Sequence, residues 1–378
     1  MLHPGGVHDE ERYRVAMLDW LACATRGRSE RAAVAAARAG DGLLDRVAAA
    51  ATAGHVLDFD DTWTPGLAHL SAPTAPAALV LAADAGLTVG VALRAYATGF
   101  EAMAALARAS HPSLYDAGRH PTAVSGAVGA AVAAATVFGF GEEIADTAAA
   151  LALLGAGGQL AAFGTDGKSL QVGMAASTGV QAALLAAGGA RVPEDALDRF
   201  ATPLGARWAT PGSEPAVRRN WIKAYPCCLQ THTSIEAALI ARPIERPVTL
   251  TVHPIARAAA AVDLPQNGLE AKFSLPYLVA FALERGAPNV DDFAAVAPVR
   301  SSRIAVAVDA NLGEQEAVLH AGDAEVARVE VALGSPQRPM NAEQLAHKVH
   351  ELAGDHLDGV LDDPDRPAAE VLEAAGLQ

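Results

Sequence analysis

Polar residues able to move protons or bind anions fall into five short segments of an otherwise apolar chain. The densest is His55-Val56-Leu57-Asp58-Phe59-Asp60-Asp61-Thr62-Trp63, followed by His69. Three carboxylates so close together need cations, a metal or water, because burying an unpaired charge costs on the order of several kcal/mol. Asp58, between Leu57 and Phe59, reads as an inward-facing group, whereas Asp60 and Asp61 also fit a solvated helix start that caps the next turn. In Gly118-Arg119-His120-Pro121-Thr122, His120 precedes a helix N-terminus, whose free N–H groups favour an anion. The third segment, Gly164-Thr165-Asp166-Gly167-Lys168-Ser169-Leu170-Gln171, holds the only basic residue from Glu142 through Ala190 and lacks the spacing of a nucleotide-binding P-loop.

The fourth segment runs from Asn220 through Lys223, Tyr225, Cys227 and Cys228 to His232. Its adjacent cysteines have no second cysteine pair to complete a zinc or iron–sulfur site, so no metal is expected. The fifth, Lys272-Phe273-Ser274-Leu275-Pro276-Tyr277, opens a helical stretch in which Tyr277 would pack its ring and leave its hydroxyl wet. Histidines, an aspartate, a tyrosine and lysines together suit proton abstraction beside a carboxylate. Lysines clamp the anion and stabilise the developing aci-carboxylate, while His or Tyr takes or delivers the proton.

The charge balance agrees with a small anionic ligand. The chain has 378 residues, 43 acidic against 28 basic, and a net charge of −15. No run of Lys and Arg offers the basic face that nucleic acid requires. Lysine occurs only at 168, 223, 272 and 348; the other basic residues are arginine. Three of the four lie in the segments above and are expected to converge on one cleft, leaving Lys348 on an ordinary C-terminal helix. The cysteines Cys23, Cys227 and Cys228 cannot form a disulfide framework and point to a reduced cytoplasm. The start, MLHPGGVHDEERYR, has neither the basic nor the apolar region of a secretory signal.

These residues must be positioned by two kinds of structure. From Asp9 to about Trp208 apolar residues recur at helical spacing, and Gly and Pro fall between segments. The uncharged stretches 121–141, 147–165 and 169–190 are built from Ala and Gly and read as close-packed central helices of a bundle, with no membrane partner. Beyond Arg242, PVTLTVHP, SRIAVAVDA, QEAVLHAG and AEVARVEVALG alternate as strands do, with Gly322-Asp323 turning a hairpin between the last two. The expected fold is mostly α with an inserted α+β domain. A discontinuous all-helical domain would span 1–225 and 337–378, and the α+β domain 226–336, with the ligand cleft between them.

Six motifs in order give the chain a resemblance to the MmgE/PrpD family. VAMLDWLACATRGR resembles the opening helix, GHVLDFDDTW the H-x-L-D-F-D-D-T signature, and GRHPTAVSGAVGAA the following G-x-H-x-T segment; GTDGKSLQVGMAA, IKAYPCCLQTHTSIEAAL and KFSLPYLVAFAL follow. The resemblance implies a metal-independent, cofactor-free homodimer with a large helical domain and a smaller α+β lid. By position it implies catalytic roles for Asp58, Thr62, His69, His120, Lys168, Lys223 and Tyr277. Lys272 would bind substrate, together with His55, Gln171 and Asp166. Two departures matter: relatives read K-[PS]-L-H where this chain reads Lys168-Ser169-Leu170-Gln171, and Asp166 adds a charge. An Asp166 facing the cleft would repel a tricarboxylate and favour a substrate with fewer carboxylates or an amino group. Dehydration of a substrate resembling 2-methylcitrate is the first expectation, decarboxylation of a cis-aconitate-like substrate or epimerisation of an amino-dicarboxylate the alternatives. A metal-dependent aspartate motif of the terpenoid-synthase type would need a second acidic motif, which the sequence lacks. A non-catalytic carboxylate-binding protein is the third possibility.

Overall fold

A computed structural model describes residues 7–244 and 247–378, so the first six residues of the N-terminal stretch lie outside the described residues. In chain order the helices are α1 (Val7–Gly27), α2 (Arg31–Ala37), α3 (Leu43–His55), α4 (Ser71–Asp84), α5 (Val89–Ala109), α6 (Ser113–Asp116), α7 (Pro121–Val137), α8 (Glu142–Gly155), α9 (Gly167–Ala187) and α10 (Ala196–Ala201). There follow α11 (His232–Ala241), β1 (Val248–Val252), α12 (Pro254–Ala259), α13 (Gly268–Ala271), α14 (Leu275–Glu284), β2 (Ile304–Val308), β3 (Ala317–Ala321) and β4 (Ala324–Val329). The chain closes with α15 (Ala342–Ala353) and α16 (Ala368–Ala375). It is thus mostly helical with one small mixed sheet, as its periodicities indicate.

The chain divides into two compact units. The first comprises Met1–Val56, Asp60–Ile222 and Asn341–Gln378, and the regular elements among its described residues are helices. Its centre is α7, almost wholly buried and rich in Ala and Gly, so neighbouring axes approach closely. A Cβ on Gly179 of α9 would lie 2.4 Å from the Ala127 carbonyl oxygen of α7, so the contact admits no side chain. Of the uncharged stretch 147–165 only the first part is helical: α8 ends at Gly155, and the chain passes through Gly158, at φ +134°, to a 3₁₀ turn at Leu160–Ala162. Among the described residues α9 is the one helix long and apolar enough to cross a membrane, with half of its apolar window buried. The C-terminal helices join this unit through main-chain bonds from Val89 to Arg366 and from Ala368 to Leu87. Lys348 of α15 is buried there against Asp19 of α1, at 2.5 Å, and is not the solvated helix lysine expected.

The second unit comprises Leu57–Phe59 and Lys223–Met340. Its sheet has the order β2-β1-β3-β4, with β1 and β2 parallel and the other pairs antiparallel. Gly322, at φ +64°, makes the expected β3–β4 hairpin turn. Alternation along β1 sends Val248, Leu250 and Val252 into a core shared with Ile235 of α11 and Leu278 and Phe281 of α14. The boundaries lie a few residues outside the expected 226–336, and Leu57–Phe59, expected in the helical domain, groups here. The reason is polar: Lys272 donates to the Leu57 carbonyl and Lys223 bonds Asp58.

Candidate active site

Within the helical unit, α3 ends on His55, and the chain turns so that Asp60 faces back toward it. Asp60 Oδ2 accepts a hydrogen bond from His55 Nδ1 at 2.9 Å and lies 3.3 Å from His69 Nδ1. The His55 and His69 rings meet edge to face with centroids 4.6 Å apart, and His55 stacks on His120 at 6.1 Å. Asp60 and His55 are buried, whereas the His69 side chain keeps 12% of its surface exposed. Burial pushes His55 down to about 4; Asp60 opposes this, and the positive charge of Lys168 adds to it. Burial alone would raise Asp60, but its two histidine neighbours hold it well below the usual carboxylate range. The settled state is an Asp60 anion accepting Nδ1–H from a neutral His55.

Asp61 is also buried rather than solvated. Its oxygens accept from Ser71 N at 3.2 Å, Ser71 Oγ at 2.7 Å and Asn220 Nδ2 at 2.7 Å, which anchors the start of α4. Burial, aided by the Asp60 charge, raises its pKa to about 7. Capping therefore does occur, through a residue ten positions upstream of the helix it holds. Thr62 contributes main chain: it exchanges hydrogen bonds of 3.0 and 2.8 Å with Trp221.

His120 is the extended residue before α7, and Pro121 occupies the first helical position, where a missing N–H costs nothing. Thr122 Oγ1 accepts from the His69 main-chain N–H at 3.1 Å, tying the two histidines' backbones together. Gly158 leaves room for the His120 side chain, since a Cβ there would meet Ala123 Cβ at 2.6 Å and His120 Cβ at 3.2 Å. Phe163 closes one side of the His120 ring, with centroids 5.0 Å apart, and Lys168 Nζ lies 5.5 Å from the Phe163 centroid. One turn along α9 from Lys168, Gln171 reaches His120 Nδ1 at 2.7 Å.

The second unit holds its own polar cluster. Lys223 Nζ donates to both the carboxylate and the carbonyl of Asp58, each at 2.9 Å, and both residues are buried. Asp58 adopts φ +54°, a left-handed conformation that costs a non-glycine residue roughly 1 kcal/mol and is held by this pair. Lys272 donates to the Leu57 carbonyl with its ammonium 5.2 Å from the Phe293 ring centroid.

The sequence matches the MmgE/PrpD N-terminal domain over residues 45–207 and the MmgE/PrpD C-terminal domain over 225–374. The chain belongs to the MmgE/PrpD family. It is similar to cis-aconitate decarboxylase from Homo sapiens, 31% identical over 207 residues that cover 50% of this chain and 42% of the relative. Cis-aconitate decarboxylase from Mus musculus is 29% identical over 270 residues, covering 63% of this chain and 54% of the relative. The chain thus spans about half the length of the curated relatives it matches.

For this MmgE/PrpD chain the structure brings His55, His69, His120, Lys168 and Gln171 into the helical unit, and Asp58, Lys223, Lys272 and Tyr277 into the α+β unit. Two expectations need correction. Tyr277 is 2% exposed and packed in the core of its unit, where its oxygen accepts from Ala297 N at 3.1 Å. Burial raises its pKa, so the hydroxyl stays protonated. Asp166 turns to the exposed Arg31 of α2 at 2.7 Å, so its charge already has a cation. Lys223 and Lys272 donate hydrogen bonds to the 57–58 backbone and to the Asp58 carboxylate, which holds this segment in place.

Asp60 is not among the catalytic positions that the resemblance implies, yet it sits between His55 and His69. Its signal was present, since it lies five residues after His55, but the partner from the other direction, His69, cannot be paired with it by sequence alone. Ligand atoms of His55, Asp60 and His69 all lie within 4.8 Å of one another, a spacing that a metal ion could use. A tetrahedral zinc bonded at about 2.0–2.1 Å would hold its ligand atoms about 3.3 Å apart and commonly takes a fourth ligand. The 2.9 Å separation of His55 and Asp60 is that of a hydrogen bond, which positions a proton.

Proposed function

We propose that this chain is a cofactor-independent lyase that moves a proton at a carbon adjacent to a carboxylate of a small di- or tricarboxylate. The observation that carries the reading is the buried Asp60 carboxylate facing Nδ1 of both His55 and His69. A carboxylate on Nδ1 leaves Nε2 as the working nitrogen and steadies the imidazolium that forms when that nitrogen takes a proton. His69, the more exposed of the two, is the ring that exchanges the proton with substrate. Lys168 supplies a compact positive charge for a substrate carboxylate and for the aci-carboxylate that develops beside it.

Two reactions share this intermediate. Dehydration is supported by the breadth of the family. Decarboxylation is favoured by the names of both relatives: the bond to the departing carboxylate breaks, CO₂ leaves, its electron pair is held as the delocalised carbanion, and a histidine returns a proton to carbon. Metal-free protein should be incubated in D₂O with cis-aconitate, 2-methylcitrate and an amino-dicarboxylate, and followed by NMR. Turnover or deuterium incorporation that persists with chelator and falls at least about 100-fold in Lys168→Ala supports the lyase. Turnover that requires added magnesium, or binding with no exchange on any of them, overturns it.

A further inference from the structure

The side-chain amide of Gln171 has its orientation dictated by main chain. Its Oε1 accepts from Gln159 N at 2.8 Å, and its Nε2 donates to the Gln159 carbonyl at 3.3 Å. A backbone N–H can only donate and a carbonyl can only accept. Turning the amide over would therefore set NH₂ against N–H and oxygen against oxygen, losing both bonds and creating two repulsions. The NH₂ group has a second hydrogen, and the atom it meets, at 2.7 Å, is His120 Nδ1. A donor whose identity is forced by its other contacts makes the facing ring nitrogen an acceptor.

We propose that Gln171 is a positioning residue that fixes His120 as the neutral tautomer protonated on Nε2. His55 is set the other way, because its Nδ1–H donates to Asp60 and its lone pair lies on Nε2. Two stacked imidazoles 6.1 Å apart are thus held in opposite tautomers by a fixed amide and a fixed carboxylate. His120 presents N–H from Nε2 and acts as a donor to a substrate carboxylate or leaving group; proton abstraction is left to the carboxylate-backed histidines. A histidine at position 171 would carry no such constraint, since its ring can supply either a donor or an acceptor.

This role in turnover rests on the lyase reading, but the tautomer does not, so the two are tested separately. Long-range ¹H–¹⁵N correlation on ¹⁵N-histidine-labelled protein, with His120 assigned by His120→Asn, reads the protonated nitrogen directly. The expected spectrum has His120 protonated on Nε2 and His55 on Nδ1. Gln171→Glu replaces the donor with an acceptor and should place a proton on His120 Nδ1, as the Nδ1–H tautomer or the imidazolium, with kcat falling on the order of 100-fold and KM changing less than about threefold. Gln171→Met, which keeps the side chain's length without a donor, should give a mixture of tautomers. If His120 carries its proton on Nδ1 in the parent protein, or stays protonated on Nε2 alone in a folded Gln171→Glu variant, the assignment is wrong. A moved proton with unchanged kcat leaves the tautomer standing and overturns the donor role. Absence of turnover in the parent protein overturns the lyase reading and leaves the spectroscopic test intact. Should Gln171→Glu fail to fold, the parent spectrum and Gln171→Met decide the assignment.

Discussion

Asp60 Oδ2 stands 2.9 Å from His55 Nδ1 and 3.3 Å from His69 Nδ1, so one buried oxygen serves two imidazoles. A single carboxylate in this position sets which nitrogen of each ring is available to chemistry.

Replacing that oxygen by an amide should separate catalysis from folding. Asp60→Asn keeps the shape but allows NH₂ to face the rings, which favours the wrong tautomer. Turnover should fall roughly 10³–10⁴-fold with a smaller change in KM. Steady-state kinetics beside thermal unfolding check this, and equal losses of activity in Asp60→Asn and Asp60→Ala would fit the mechanism, whereas near-parent activity in either would not.

His55 should stay neutral through ordinary acidic conditions. Its folded-state pKa of about 4 lies below the ordinary histidine value of 6.5, so between those limits the unfolded chain binds more protons. Its contribution to stability is therefore present above about 6.5 and is lost as pH falls toward 4. NMR titration of the His55 ring should show no imidazolium at pH 5.5, and His55→Gln should flatten the urea midpoint against pH over this range.

Asp61 has the opposite sign. Its pKa is raised from 3.8 to about 7, so the folded state binds more protons than the unfolded one across that window and stability declines as pH rises through it. Asp61→Asn mimics the protonated carboxyl. Relative to the parent, the variant should gain stability steadily from pH 4 to pH 7, as read from urea midpoints. A constant difference across this range would contradict the shift.

In the α+β unit the Asp58–Lys223 pair should be costly to break from one side. Asp58→Asn tolerates the left-handed backbone but leaves a buried ammonium without its anion, a loss of about 3–5 kcal/mol. Lys223→Met alone strands the carboxylate similarly. The double variant should recover a substantial part, which a double-mutant cycle by denaturant unfolding measures. Additive losses would mean that the two side chains act independently.

Much of the architecture is legible along the chain because helical and strand periodicities are local. The Ala- and Gly-rich segments and the Gly322 turn are each visible in a few neighbouring residues, whereas the end of α8 at Gly155 inside the uncharged stretch 147–165 is not. The scarcity of lysine was informative as well: all four are buried, including Lys348, whose helix alone gave no hint of Asp19. The candidate residues His55, His69, His120 and Lys168 could be selected by type and motif.

Their partners could not. Sequence determined which groups were available to carry charge and protons: a histidine-rich, acid-rich stretch, four lysines, and a glutamine one helical turn after Lys168. Tertiary structure decided that Asp60 lies between two histidines, that Asp166 turns to Arg31, that Tyr277 closes a core, and that Gln171 is locked by Gln159. The physical reason is range. Periodicity and capping act within a turn or two of chain, whereas the direction of a hydrogen bond depends on what the fold places within 3 Å, and that partner can come from anywhere in the sequence.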